Sequence, residues 1–494
     1  MKFARPIMVT VLAASIGGLV WADRHPAPST APVLAGAGVL PMAAIPTTAH
    51  LSTSWYCPGV PAGTMVGASG SFTIANSSES EFSTRVTLFP VGKDPVAKTI
   101  VVPARGRKVI NPAETAPSSM AAALIEMSGA VGAVEQTAIS QEGVSVSACV
   151  LEPSPNWYLA DGATRSDSSM SLTLFNPSPS DAVVDLAFAD EENARVTKKF
   201  EGRVVPARSL VVLDISQVIL RKERLSVAAT VRSGSLVMGR FQVFRGDNGS
   251  RRGLMVGAAA PALSTDWRFA AGQKGDGGPG TLPASTRVIV HNPGTSDATV
   301  FVTSFPATPD PIAAPSAEGT PPVSSPAAPD PIRVVVAARQ SATVDLSADP
   351  LVPNGLFSVV VTSDEPIVVE RALDRIQNNI NVATLQMGSP LAAGEWHLAA
   401  GAPDGMQATL QVVNATGLPG KVTIKALGPA GLVAVPGWES VALAEGALIR
   451  FDLGEKNVSA DSIVVTSTVD VVVERVIRGA NGWSSALGLP VAGP

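Results

Sequence analysis

Short runs in which apolar and polar residues alternate follow one another along this chain, and their order repeats four times between residues 55 and 490. The first run of each repeat ends in asparagine: Ser71-Phe-Thr-Ile-Ala-Asn76, Ser171-Leu-Thr-Leu-Phe-Asn176, Arg287-Val-Ile-Val-His-Asn292 and Thr409-Leu-Gln-Val-Val-Asn414. Ser-Ser, Pro-Ser, Pro-Gly or Ala-Thr comes next, which is turn chemistry, since Asn caps a bend with its own side chain. A second run then begins: Arg85-Val-Thr-Leu-Phe89, Val183-Val-Asp-Leu-Ala-Phe188, Ala298-Thr-Val-Phe-Val302 and Lys421-Val-Thr-Ile-Lys425. A period of two predicts strands with one covered and one wet face.

Val102-Pro-Ala-Arg105, Val205-Pro-Ala-Arg208 and Val336-Ala-Ala-Arg339 follow, each with a short polar residue further on: Asn111, Asp214 and Asp345, with Asp452 in the fourth repeat. A later strand closes on Ser128, Ser233, Ser363 and Ser467. Its expected hairpin partners are Val131-Gly-Ala-Val-Glu135, Leu236-Val-Met-Gly-Arg240, Ile367-Val-Val-Glu-Arg371 and Val471-Val-Val-Glu-Arg475. A last short strand ends near Cys149, Val256, Met387 and Leu487.

Tryptophan opens each repeat, at Trp55, Trp157, Trp267 and Trp396, and a recurring residue at a recurring place is read as a buried structural anchor. About seven strands per unit of about 100 residues predict an all-β chain of four tandem immunoglobulin- or fibronectin-like β-sandwich domains after an N-terminal apolar helix. Propeller blades repeat at about half that length. The predicted domains are 55–153, 154–262, 263–391 and 392–494. The third is lengthened by an insertion at 306–331 that holds nine prolines and cannot build core. Linkers are short, so a semi-rigid row of modules is expected.

Lys and Arg total 36 against 41 Asp and Glu, a net charge of −5, whereas nucleic acid demands clustered cations; it is excluded as a partner. Lys2 and Arg5 precede an apolar run from Ile7 to Ala22, with Val20 and Ala22 spaced as a signal peptidase accepts. Residues 1–22 are therefore expected to be a signal peptide or an N-terminal membrane anchor, with membrane contact only through residues 7–22. Residues 23–54, rich in Ala, Pro and Thr, read as a stalk. Cys57 and Cys149 are the two cysteines, and in an exported chain two are most simply one disulfide.

The phrase Trp-x-x-Ala-x-Gly, the Asn-Pro turn, the Val-Pro-Ala-Arg stretch and the Val-Val-x-Glu-Arg strand together resemble a group of exported actinobacterial proteins that carry a domain of unknown function made of tandem β-sandwich repeats. The likeness spans Trp55 to Pro490. Glu135-Gln136 and Gly239-Arg240 depart from it, standing where the later repeats have Glu-Arg. The resemblance implies a fold and lends no catalytic role.

Candidate chemistry is sparse. His25, His50, His291 and His397 lie in different parts of the chain, so a zinc site or a Ser-His-Asp triad within one unit lacks its parts. No catalytic residue, metal ligand or cofactor is assigned. Arg245-Gly246-Asp247 reads as a turn, and Asp214, Asp345 and Asp452 as turn caps. Glu370-Arg371 and Glu474-Arg475 are neighbours on strands, so their side chains face opposite ways and should pair across strands on each face. Trp438 and Trp483 fall outside the repeated phrase and are the candidates for sugar contact. Asn76, Asn248, Asn414 and Asn457 are glycosylation sequons. The expectation is a non-enzymatic scaffold or interaction protein of the cell envelope, with a cell-wall or carbohydrate-binding protein as the alternative. It is extracytoplasmic, secreted or anchored, with envelope proteins or cell-wall polymer as the partners to be sought.

Overall fold

Alternation decides where strands form, and its lapses show which strands are covered twice. In Phe82–Pro90, Phe82, Thr84 and Val86 are buried while Ser83 and Arg85 are exposed. From Val86 onward every residue is buried, because the far face of the strand meets the next repeat. The computed structural model describes residues 42–46, 52–65, 67–128, 132–190, 194–196, 198–247, 250–276, 282–307, 330–428, 431–480 and 482–491. It is all-β with several sheets. The N-terminal apolar run and most of the proline-rich insertion lie outside the described residues. Within these, no helix is long and apolar enough to cross a membrane.

The first repeat carries eight strands in two antiparallel sheets. One has the order Ser52–Ala62, Ser118–Ser128, Phe82–Pro90, Val96–Val102; the other has Gly106–Ile110, Ala68–Asn76, Ala133–Ser140, Gly143–Ala148. The same order recurs along the chain. In the third and fourth repeats single long strands, Gly355–Gln377 and Ser462–Gly479, run from one sheet into the other. The strand that closes on serine and the strand after it are therefore not a hairpin, as the sequence suggested, because the chain changes sheets there. The true hairpin joins the Glu-Arg strand to the last strand, with Glu135 opposite Ala148 and Glu474 opposite Leu487.

Register explains the tryptophans. Trp55 and Val86 both lie opposite Ile125, Trp157 and Leu186 opposite Ala229, Trp267 and Val302 opposite Val361, and Trp396 and Ile424 opposite Val465. All four rings have no solvent exposure. The indole N–H of Trp157 donates to the carbonyls of Ser154 and Leu236, and Trp267 and Trp396 repeat that pair with Ser264 and Ile367, Ala393 and Val471. A buried indole with a satisfied N–H combines a large apolar area with fixed orientation.

The turns also recur. Asn76, Asn176, Asn292 and Asn414 each donate Nδ2 to a carbonyl four residues on and to one in the facing turn, Pro103, Val205, Val336 or Ala444. That facing turn needs a left-handed residue. Arg105, Arg208 and Arg339 supply it at φ of 46°, 51° and 62°, and Gly446 takes the place in the fourth repeat at 61°.

The expected row of separate modules is corrected by what meets at the centre. The last strands of the four repeats pack side by side around a circuit. Ser145 Oγ exchanges hydrogen bonds with Val256 of the second repeat. Arg251 and Arg252 pair in parallel with Asn381 and Val382 of the third. The indole of Trp483 in the fourth donates to Gln377 of the third, and Ser484 accepts the amide of Val146 in the first. The fourth repeat thus touches the first. Residues 42–46, assigned to a stalk, lie against the end of the chain, with the Ile45 amide on the Pro490 carbonyl and Ile45 only 3% exposed. Apolar clusters cross the junctions, so Leu427 of the fourth repeat belongs to the cluster of the first two. The described residues belong to one compact unit, Pro41–Pro494.

Cys57 and Cys149 are joined, tying the opening strand of the first repeat to the end of its last strand across 92 residues of sequence. Closing so long a loop in the unfolded chain is worth about 4–5 kcal/mol. Replacing both cysteines with serine should lower the stability read by urea unfolding by about that amount. An unchanged midpoint would contradict the role assigned to the bond.

Candidate functional site

Strand geometry places the two members of each Glu-Arg pair on opposite faces, and each face looks into a different junction between repeats. Arg240 of the second repeat holds Glu370 of the third through two hydrogen bonds of 2.8 and 3.0 Å. Arg371 of the third holds Glu474 of the fourth at 2.5 and 2.9 Å, and Arg475 of the fourth holds Glu135 of the first at 3.1 Å to both oxygens. Side-chain exposure is 8% and 1% in the first of these pairs, and 1% or less in the other two. Each carboxylate also accepts a backbone N–H four residues past an opening tryptophan, from Asp161, Ala271 or Ala400. Arg240 and Arg475 donate to the carbonyls of Asp161 and Ala400 as well. The sequence reading foresaw opposite faces but sought the partners on neighbouring strands; they lie in the next repeat instead.

The first junction lacks the pair, and both positions change together. Gln136 replaces the arginine and Gly239 replaces the glutamate. A β-carbon on Gly239 would come within 2.6 Å of Pro58 in the opening segment, so no larger residue fits. The backbone N–H that a glutamate would have held, on Gly59, is taken by Gln136 Oε1 at 3.3 Å. A neutral amide thus meets the donor left behind, which prevents a buried unsatisfied group.

The second junction holds a cleft of about 580 Å³, lined among others by Tyr158, Ala187, Ala189, Leu263 and His291, with Asp185, Arg232 and Arg339 also on its wall. Asp185 and Arg232 pair with each other. His291 is 3% exposed, and burial pushes its pKa down to about 4, against which the Gln340 carbonyl at 3.1 Å acts only weakly. A carbonyl only accepts, so Nδ1 carries the proton and Nε2 is a bare acceptor with no partner. At the third junction Arg375 lies over the Trp483 ring at 4.4 Å. Burial first, and then the nearby Arg371 charge, lower its pKa to about 9.

The remaining sequence candidates fall as follows. Trp438 and Trp483 are 2% and 8% exposed, so the expected surface rings are buried; Trp438 packs edge-on to Phe451. Asn111, Asp214, Asp345 and Asp452 each accept a backbone N–H two residues on, the capping geometry foreseen for the aspartates. Asp247 of the Arg-Gly-Asp stretch accepts the Ser250 amide through its carbonyl and pairs with Arg252. The side-chain amides of Asn76 and Asn414 are consumed by turn carbonyls, which leaves neither sequon open to a glycan. Asn248 lies outside the described residues. Among these, no group of three His, Cys, Asp or Glu is placed to hold a metal ion. Sequence reasoning missed the cleft and the junction pairs. The joint departure at Gln136 and Gly239 was the signal for the pairs.

Strands, disulfide and junctions define an all-β protein whose acidic and basic core residues serve assembly. The chain belongs to the family of unknown function DUF5719, whose model matches residues 116–395. No curated protein matches it. Among solved structures, Thermotoga maritima 1070 is 18% identical over 26% of this chain and 94% of its own, with a TM-score of 0.19. A glycoside hydrolase family 32 structure from Bifidobacterium adolescentis is 10% identical over 90% of this chain and 96% of its own, at 0.15. A tetra-tandem repeat in the extending region of a large adhesion protein is 11% identical over 84% and 94%, at 0.09. At such scores these likenesses carry no argument.

Glu474→Gln strands the Arg371 guanidinium in the interior and should cost about 3–5 kcal/mol, whereas Arg371→Met with Glu474→Leu should recover most of that loss. Additive losses in the double variant, measured by urea unfolding, would show that the two residues do not act as a pair. His291 gives a second test. Its folded pKa lies below the unfolded value near 6.5, so at neutral pH both states are uncharged and nothing is lost. As pH falls toward 4 the unfolded state alone takes up the proton, and stability declines by on the order of 3 kcal/mol. A His291→Gln variant should lack that share of the decline; an identical pH profile would contradict the buried neutral imidazole.

Proposed function

We propose that the protein is a non-catalytic interaction scaffold that works outside the cytoplasm, in the cell envelope. Its four repeats are read as immunoglobulin-like two-layer modules locked into one frame, which presents fixed surfaces and loops to envelope partners. The observation that carries this reading is the recurrence of the desolvated Arg–Glu clamp at three of four junctions. Charges invested in register and closure suit a rigid platform more than a hinge-driven catalyst. The disulfide supports an oxidising compartment, and the resemblance to exported actinobacterial repeat proteins points the same way. The carbohydrate alternative was tied to Trp438 and Trp483, and their burial leaves it without the rings it needs.

Protease added to intact cells should degrade the chain from outside. The purified protein should also fail to sediment with isolated cell-wall polymer stripped of protein. A chain protected until lysis would overturn the extracytoplasmic reading, and tight sedimentation with bare polymer would favour the carbohydrate reading.

A further inference from the structure

We propose that the cleft at the second junction is a binding site for a small molecule built on an aromatic ring. The first junction of the same chain shows what such a space accepts. There Phe89, three residues past Val86 on its strand, packs against Phe175 with ring centroids 4.8 Å apart, and Tyr56 stands 6.5 Å from the same Phe175 ring. Both phenylalanines are at most 1% exposed. Ala189 is three residues past Leu186, so it is the counterpart of Phe89 in the second repeat. His291, which precedes the turn asparagine Asn292, is the counterpart of Phe175, and Tyr158 is that of Tyr56. One phenyl ring is therefore replaced by a methyl group and the other by an imidazole, while the tyrosine remains.

The result is an opening of about 580 Å³ where the first junction is filled, a size in the range of small-molecule sites. At the fourth junction, buried Leu427 stands at the position of Phe89; at the third, Arg268 bridges to the Ala415 carbonyl. The cleft offers Tyr158 and Leu263 as apolar walls for a ring. Asp185, Arg232 and Arg339 supply polar contacts for a substituent, with the His291 imidazole also on the wall. This proposal rests on the interaction reading only in assigning no chemistry to the cleft.

The test uses the full chain with carbon-13-labelled alanine methyl groups and p-cresol as the probe. Methyl signals of Ala187, Ala189 and Ala228 should shift saturably at millimolar p-cresol, while that of Ala122 in the first repeat stays in place. Ala189→Phe, which rebuilds the first junction's plug, should abolish the shifts. Should that variant fail to fold, Tyr158→Ala should weaken the probe at least tenfold. Absent shifts, shifts that survive both substitutions, or methyl β-glucoside acting where p-cresol does not would overturn the proposal. The measurement needs neither cells nor envelope material, so a negative result leaves the scaffold reading standing. Conversely, protease protection in intact cells would sink that reading without touching the cleft.

Discussion

Three arginine–glutamate pairs, removed from water and doubly hydrogen-bonded, set how the rest of the molecule is arranged. Burying two charges costs about as much as their attraction returns, so such a pair adds little net stability over apolar residues. Its value is selectivity. A misplaced repeat leaves a buried carboxylate or guanidinium without a partner, a far larger penalty than a lost apolar contact. The third and fourth repeats each point a glutamate into one junction and an arginine into the next, while the first keeps only the glutamate and the second only the arginine. The order of the four repeats is therefore specified along with their contact. The pair from Arg475 to Glu135 closes the circuit across 340 residues.

The one junction without a pair is the one reinforced otherwise. The disulfide-bearing segment around Cys57 and Pro58 packs over Gly239, phenyl rings fill the space beside it, and Gln136 answers the freed amide. The second junction has the charge pair but loses the rings, which leaves room where the first has none. Junctions held by different means can thus diverge in their lining while the frame stays fixed. That separation of frame from lining gives one junction room for a site without loss of register.

Much of the local structure was legible in the sequence. Period-two runs marked the strands, asparagine and serine marked the turns, and the recurring tryptophan marked the interior, since all of these depend on neighbours within a few residues. The circular arrangement was not legible, because its determinants are partners a hundred or more residues apart. The repeat length argued against single-sheet propeller blades, and the short linkers were read as a semi-rigid row, whereas the larger two-sheet units close on one another. Gln136 and Gly239 were visible as departures from a pattern. Only their placement opposite each other gives the departures one cause. Trp438 and Trp483 misled for a related reason: a tryptophan outside the repeated phrase looks free, yet Phe451 and Arg375 cover these two.

The circuit itself is most directly tested by small-angle X-ray scattering of residues 41–494. A compact body of that length should have a radius of gyration of about 22–23 Å. Four modules of about 100 residues set end to end would instead give roughly 40 Å and the scattering of an elongated rod. The smaller radius is the predicted result, and the larger one would contradict closure of the fourth repeat on the first.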